Sequence, residues 1–357
     1  MRDKAETIVD SRFRTLVGAL VLGFSASMVS TPAMAEGKLN VYNWGDYINP
    51  EVLKRFGEEH DVDVSLDTYG TNEEMLAKIQ AGATGYDIVF PSVWMHDVLS
   101  ELDLLEKTDI SSHPDFKNID PDSKRARTDP DAEYCLPYAW GSVGIVYNKN
   151  VVDEPIKGWQ DLFDLAEQGE KIILLDDPRE TLGIGHIMNG TSVNSVDDDE
   201  VGAAADYIID KLDNISAFTY DSIPLVQSGD VAAAHWYVGA NIFVSQMPDV
   251  LEYVIPEEGA TIYQEDLCVL KSAPNKDNAK KFLEFYLKPE IAALNVEQQM
   301  NGTTNIPARD LIPEEIANNP TMYPPQEVMD KLQIFHDLGP DIRLYAREWR
   351  RVKATAQ

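Results

Sequence analysis

The chain has 357 residues, 44% of them hydrophobic, and a formal net charge of −31 at pH 7. That length allows one or two globular domains with a sizeable core, and the charge argues against nucleic acid or anionic membrane as a partner because it repels both. An acidic surface also suits a protein from a salty habitat, so the charge only hints at a cationic ligand.

The N-terminus has the pattern of a secretory signal peptide. Arg12 and Arg14 precede an uncharged stretch at 16–29, which is followed by the small residues Ala33 and Ala35. This order predicts cleavage after residue 35. A membrane anchor is the alternative, but the stretch is short and ends in a cleavage pattern. No cysteine follows directly to carry a lipid, so we expect a soluble protein in the periplasm of a Gram-negative bacterium.

The next hundred residues alternate between strand and helix patterns. The predicted elements are a strand at 38–43, a helix opening at Asn49-Pro50, a strand at 62–69, a helix capped by Thr71 or Asn72, and a strand at 87–90. Strands that alternate with helices at this spacing predict a parallel sheet with crossover helices.

The rest of the chain predicts a second α/β unit. A long glycine-punctuated strand is expected at 136–147, further strands at 171–175, 231–236 and 261–270, and helices near 201–212 and 278–287. No repeat or low-complexity linker separates two domains. We therefore predict two α/β lobes joined by crossing strands, with lobe 1 at 38–138 plus 268–312, lobe 2 at 139–267 plus 313–357, and a ligand cleft between them.

Metal and redox chemistry find little support in the sequence. Cys135 and Cys268 are the only cysteines, and an oxidising compartment permits one disulfide, although two buried thiols fit equally well. Their spacing matches no zinc pattern, and the six histidines are scattered. The acidic run 197–200 is interpreted as a solvated helix start. The sequence therefore predicts no metal site and no cofactor.

Candidate site residues lie at the ends of the predicted strands, where open α/β sheets bind ligands. They are mostly aromatic or acidic: Trp44, Asp46, Tyr47, Ser92, Trp94, Asp177, Glu180, Trp236, Tyr263 and Glu265. Aromatic rings cover methylene groups and attract ammonium groups by roughly 0.5–2 kcal/mol each. Carboxylates accept the ammonium hydrogens, and both ends of a diamine need one because an unpaired buried charge is costly. This mixture favours a small organic cation.

Each of these residues also has a structural interpretation. The tryptophans taken singly suit a hydrophobic core, and either Asp176 or Asp177 is expected to cap the next helix. Glu180 is equally well interpreted as a solvated helix residue, and His235 as a packed strand residue. Only their combination at the strand ends supports a site.

An enzyme is the main alternative from another class. Paired carboxylates and aromatic rings also suit a secreted carbohydrate-active enzyme. The chain has no G-x-S-x-G, no glycine-rich phosphate loop and no H-E-x-x-H. No nucleophile is paired with a base, so we predict a protein without enzymatic activity.

Over roughly 38–353 the chain resembles the spermidine/putrescine-binding proteins of bacterial polyamine ABC transporters, and the putrescine type most. The stretches that carry the resemblance are 42–47, 86–92, 136–141, 176–180, 256–259, 323–325 and 347–349. It implies a type II periplasmic-binding fold and a monomer that presents its ligand to a membrane permease. A sensor that feeds a membrane receptor, or a binder of another small cation, is the alternative role.

The resemblance also implies individual roles. Trp44 and Tyr47 would line the cleft, Asp46 would take an ammonium end, Ser92 would hydrogen-bond the ligand, Trp94 and Tyr263 would supply rings, Asp177 and Glu180 would supply acids from lobe 2, and Trp236 would stack on the methylene chain.

Four positions depart from that family. Glu265 stands where the family has Asp, Asn301 where it often has Tyr, Gly239 where putrescine binders tend to have Asp, and Phe335 where spermidine binders have Gln. These departures leave the identity of the amine open.

Overall fold

The chain forms an α/β structure in the computed structural model, which describes residues 37–82 and 85–356. The predicted signal peptide lies outside these residues. The strands are β1 Gly37–Trp44, β2 Val62–Tyr69, β3 Ile88–Val89, β4 Cys135–Asn148, β5 Ile172–Leu174, β6 Ile215–Phe218, β7 Ala233–Tyr237, β8 Leu251–Val254, β9 Ala260–Val269, β10 Gly302–Thr303 and β11 Leu332–Ile334. The helices are α1 Pro50–His60, α2 Asn72–Gln80, α3 Val93–Glu101, α4 Trp159–Glu167, α5 Pro178–Met188, α6 Asp198–Ile209, α7 Ile223–Ser228, α8 Asn241–Gln246, α9 Lys276–Tyr286, α10 Pro289–Gln299, α11 Glu314–Ala317, α12 Gln326–Met329 and α13 Ile342–Thr355.

The strands pair in the order β2-β1-β3-β9-β4-β7-β5-β6, while β8 and β10 also pair with β4, and β11 with β9. β1 is parallel to β2 and β3, and β5 is parallel to β6 and β7. Between these two parallel groups the long strands β4 and β9 run antiparallel to each other, β9 also to β3 and β4 also to β7. The fold is therefore the predicted one, with two α/β lobes joined by crossing strands. We call the β1–β3 side the first lobe and the β5–β7 side the second lobe.

The local signals in the sequence explain the first helices. Asn49 caps α1 by accepting from the backbone N–H of Glu51, and Thr71 caps α2 by accepting from that of Glu74. Pro50 opens α1, where its missing N–H costs nothing. These predicted elements are confirmed, and most of their ends lie within a few residues of the predicted positions.

Each lobe has its own apolar packing. In the first lobe the sheet packs against α1, α9 and α10; in the second, β5 packs against α4, α5 and α6. Tyr345 and Val352 bury one face of the C-terminal helix α13 against the second lobe. Among the described residues, no helix has the length and apolarity that crossing a membrane requires.

The two cysteines form a disulfide. Cys135 in β4 lies directly opposite Cys268 in β9, with 4.5 Å between their Cα atoms, a spacing typical of a non-hydrogen-bonded antiparallel pair. Of the two open alternatives, the structure has the bridge. His96 lies beside the two sulfur atoms, and these three side chains are the one cluster among the described residues whose spacing would suit a metal ion. The two sulfur atoms are bonded to each other in the disulfide.

Candidate ligand-binding site

The first lobe presents a carboxylate held by two hydroxyl groups. Glu265 lies on β9 and is 5% exposed. The Tyr47 hydroxyl donates to its Oε2 at 2.7 Å, and the Ser92 hydroxyl donates to its Oε1 at 3.3 Å. The Asn72 amide donates in turn to the Ser92 oxygen at 3.0 Å. Residues that follow β1 and β3 in sequence therefore meet a β9 side chain, and both carboxylate oxygens are oriented.

Tyr47 is itself fixed at both ends. Its carbonyl accepts from the Tyr138 hydroxyl at 2.6 Å and from the Gln299 amide. Its hydroxyl accepts from Asn301 Nδ2 at 3.0 Å, and the Tyr263 hydroxyl donates to Asn301 Oδ1 at 3.2 Å. The ring of Tyr47 therefore has little freedom to move away from Glu265.

Three other predicted residues of this lobe differ in how they are placed. Trp44 is half-buried; its indole N–H donates to the Phe90 carbonyl at 2.8 Å, and its ring lies 4.7 Å from that of Tyr69. Asp46 is exposed in a turn with φ of 54°. Trp94 lies in the first turn of α3 and packs against the core. The structure thus fixes Trp44 firmly but does not bring Asp46 or Trp94 into the hydrogen bonds around Glu265.

The second lobe presents two acids at the start of α5. Asp177 caps this helix, because its Oδ1 accepts from the backbone N–H groups of Arg179 at 2.8 Å and Glu180 at 3.0 Å. Its Oδ2 accepts from the Tyr220 hydroxyl at 3.2 Å. The expectation that one aspartate of this pair caps the helix is confirmed. A cap that still offers an outer oxygen can also meet a ligand.

Glu180 is buried, so its interpretation as a solvated helix residue is wrong. It is 5% exposed, and its Oε2 accepts from the Thr261 hydroxyl of β9 at 2.5 Å. His235, by contrast, is the packed strand residue that was expected: it is buried in β7, edge-on to the ring of Trp159 at 5.1 Å.

The two buried glutamates resist ionisation. Burial raises the pKa of Glu180 to about 8, and the neighbouring charge of Asp177 adds to the rise. Burial likewise raises the pKa of Glu265 to about 8, against the opposing effect of the hydrogen bonds from Tyr47 and Ser92. Arg179 opposes the rise at Glu180, but more weakly than burial, Asp177 and the hydrogen bond from Thr261 act on it, and in the described parts of the chain neither glutamate has an ion-pair partner that would favour its charged form.

Basic side chains of the described residues make no direct ion pair with these acids. None of the ion pairs among residues 37–82 and 85–356 includes Asp177, Glu180 or Glu265. Arg179 is the neighbouring base, but its guanidinium stacks 4.4 Å from the ring of Phe335 and donates to Asn194 at 2.9 Å. Phe335, one of the departures from the family pattern, thus holds this arginine.

Aromatic rings lie between the two acidic groups. The rings of Tyr237 and Tyr263 meet edge-on at 5.6 Å, and Trp236 lies 6.2 Å from Tyr237 and 6.4 Å from Tyr220. All four residues are partly exposed. Sequence reasoning missed Tyr220 and Tyr237. Tyr237 directly follows the predicted Trp236, whereas Tyr220 follows β6, a strand that was not predicted.

Strand β9 sets the spacing of the site. Thr261, Tyr263 and Glu265 are alternate residues and therefore point to one face of the strand. Thr261 hydrogen-bonds Glu180, and Glu265 is itself part of the strand. The two positions on β9 that hold the buried glutamates, Thr261 and Glu265, are thus four residues apart, or about 13 Å along the strand at ~3.3 Å per residue. Both acids are thereby registered to one strand.

Buried acids from two lobes, with rings between them and no direct ion pair to either glutamate within the described residues, are the features of a solute-binding protein for a cationic ligand. The model of the bacterial extracellular solute-binding proteins matches residues 51–324, and the chain belongs to this family.

Relatives of known function agree with this class. The chain is 32% identical to a spermidine/putrescine-binding periplasmic protein of Salmonella typhimurium over 96% of its length and 98% of the relative. It is 32% identical to the putrescine-binding periplasmic protein SpuD of Pseudomonas aeruginosa, over 94% and 97%. The crystal structure of a spermidine/putrescine ABC transporter substrate-binding protein, PotD of Streptococcus pneumoniae, superposes with a TM-score of 0.81 at 33% identity, covering 90% of this chain and all of the other. The chain is accordingly a periplasmic solute-binding protein and not an enzyme.

Proposed function

We propose that the protein captures a polyamine of the putrescine or spermidine class and delivers it to the permease of an ABC transporter. The observation that carries this proposal is the arrangement of the buried Glu180 and the half-buried Asp177 in the second lobe and the buried Glu265 in the first, across a row of aromatic rings. Relatives named as binders of the same amines support it.

The chemistry of an alkyl diamine matches each part of this arrangement. An ammonium group about 4 Å from a carboxylate gains ~4 kcal/mol at an effective dielectric near 20. The rings of Trp236, Tyr237 and Tyr263 cover the methylene chain and attract its charged ends. The length of β9 between Thr261 and Glu265 suits a short extended chain with a charge at each end.

We assign the ligand contacts to the predicted residues in two groups. The acids Asp177, Glu180 and Glu265 and the rings Trp44, Tyr47, Trp236 and Tyr263 form the inner group, with Ser92 orienting Glu265. Asp46 and Trp94 lie at the margin and would reach the ligand only when the cleft closes around it, as hinged lobes do.

The lobe boundaries stay part of the proposal. We place the crossings near 138, 267 and 312, and the course of β4 and β9 through both parallel groups supports hinges within these strands. Glu265 lies two residues before the second crossing and is counted with the first lobe because Tyr47 and Ser92 of that lobe hold its carboxyl group. We further propose that the protein acts as a monomer, needs no metal or cofactor, and binds no nucleic acid, as its charge of −31 suggests.

Two substitutions test the site. Asp177→Asn removes a charge yet keeps the helix cap, because Asn caps as well as Asp, and Trp236→Ala removes a ring. Each should weaken amine binding at least tenfold in isothermal titration while thermal melting shows a folded protein. Asp176→Asn is the matched control, since Asp176 is exposed and pairs with Lys353 at 3.0 Å. Wild-type affinity in both site variants would refute the assignment.

A further inference from the structure

Asn301 occupies a buried position between two tyrosine hydroxyl groups of the site. It is 3% exposed and follows Met300, whose φ of 52° turns the chain at the end of α10. Its Nδ2 donates to the Tyr47 oxygen at 3.0 Å, and its Oδ1 accepts from Tyr263 at 3.2 Å. No acidic or basic atom takes part in these two bonds.

We propose that Asn301 is a positioning residue for the ligand: its amide directs the hydroxyl proton of Tyr47 onto Glu265 and so favours the ionised form of that carboxyl group, which is the form that accepts the cationic end of the ligand. This inference rests on the proposed function. It concerns a residue that need not touch the amine itself.

The direction of the hydrogen bonds carries the argument. A tyrosine hydroxyl has one proton and two acceptor positions. Because Asn301 donates to the oxygen of Tyr47, the proton of Tyr47 is left for Glu265, which receives it at 2.7 Å. The chain Tyr263 to Asn301 to Tyr47 to Glu265 therefore runs from donor to acceptor along its whole length and ends on the carboxylate.

The opposite orientation of the amide would reverse this effect. With Oδ1 turned towards Tyr47, the amide would take the hydroxyl proton, and Glu265 would lose its best donor. Losing that donor disfavours the ionised carboxylate, because hydrogen bonds to the charged form stabilise it. A protonated Glu265 is a poor partner for an ammonium group.

The backbone around Asn301 keeps the amide in place. The next two residues form β10, which pairs with Trp140 and Ala139 of the crossing strand β4. On the second-lobe side, a Cβ added to Gly239 would lie 3.6 Å from Asn301 Oδ1. The amide therefore lies where both lobes meet, and its two hydrogen bonds fix its orientation.

A double-mutant cycle tests the inference by isothermal titration with putrescine and spermidine. Asn301→Leu keeps the branched shape of the side chain but removes the amide and should weaken binding about tenfold. Tyr47→Phe should weaken it at least as much, and the double variant should bind no more weakly than Tyr47→Phe alone, because Asn301 acts through that hydroxyl. In combination with Asp177→Asn, which lies in the other lobe, the effect of Asn301→Leu should add in full.

The outcomes separate the claims. Wild-type affinity in Asn301→Leu, or an effect that adds in full to Tyr47→Phe, overturns the positioning role and leaves the proposed function intact. Failure of the wild-type protein to bind any amine overturns both. Asn301→Ser replaces the leucine variant if thermal melting shows that the latter does not fold, and the same non-additivity is then expected.

Discussion

Amine binding should release protons at neutral pH. In the ligand-free site the pKa of Glu180 and that of Glu265 are both raised to about 8 by burial, so at pH 7 each carboxyl group is mostly protonated. A bound dication lowers both pKa values because an opposite charge favours the ionised form. We therefore expect between one and two protons to leave as the ligand enters.

The size of the effect follows from the two pKa values. If a group must lose its proton for the ligand to bind, each pH unit below its pKa reduces the binding free energy by about 1.4 kcal/mol, which is a factor of ten in affinity. Because each group is already half protonated at pH 8, lowering the pH from 8 to 6 should weaken binding by about fiftyfold if one glutamate is involved and by up to about 2,500-fold if both are. The ligand amines stay protonated over this range and do not contribute.

Titration calorimetry at pH 7 in buffers of different ionisation heat counts these protons. The observed heat should change with the ionisation heat of the buffer, with a slope between one and two. Glu180→Gln and Glu265→Gln should each lower the slope by up to one proton. A heat independent of the buffer would mean that both glutamates are already ionised in the empty site, and the reasoning would be refuted.

Further predictions concern the stability of the protein. The pKa of each glutamate is higher in the folded protein than its unfolded value near 4.3, so the protonated group stabilises the folded state fully below pH 4.3, and this stabilisation is lost as the pH rises through 8, by about 1.4 kcal/mol per pH unit per group. Urea unfolding at pH 6 and 8 should therefore show a smaller change in the free energy of unfolding for Glu180→Gln than for the wild type. The same change in both proteins would contradict this. Replacing Cys135 and Cys268 by Ser, which opens a loop of 133 residues, should lower stability by about 4–5 kcal/mol without changing binding stoichiometry, and an unchanged unfolding midpoint would count against it. Gly185→Ala should destabilise by about 1–3 kcal/mol because the new Cβ would lie 2.1 Å from the Ala204 carbonyl oxygen. In Gly202→Ala, within α6, the new Cβ meets no atom within 4 Å, so this variant should be more stable by about 0.5–1 kcal/mol. If both glycine variants shifted the unfolding midpoint in the same direction, these two predictions would be contradicted.

The sequence predicts the regular parts of the fold because their signals are local. Alternation of apolar and polar residues over 62–69 and the caps at Asn49 and Thr71 each act within one element, and the strand-end rule then predicts where Asp177 lies. Glu265 lies in the middle of β9 and not at its end. Strand β6 has only four residues, too few to show a strand period, so it was missed, and Tyr220 with it.

Other parts of the site depend on contacts that no local pattern encodes. The burial of Glu180 depends on Thr261, 81 residues away along the chain. The disulfide depends on the register between β4 and β9, across a separation of 133 residues. Asn301 is visible in the sequence only as a departure from a family pattern, and its two partners appear only once the lobes are assembled.

The most direct test of the central claim is isothermal titration of the protein without its predicted signal peptide against putrescine, cadaverine, agmatine, spermidine and spermine. A neutral sugar and an amino acid serve as controls. The account predicts tight one-to-one binding of at least one amine and no heat from either control. Silence with every amine would contradict it, and would mean that the buried acids of the two lobes hold a different solute.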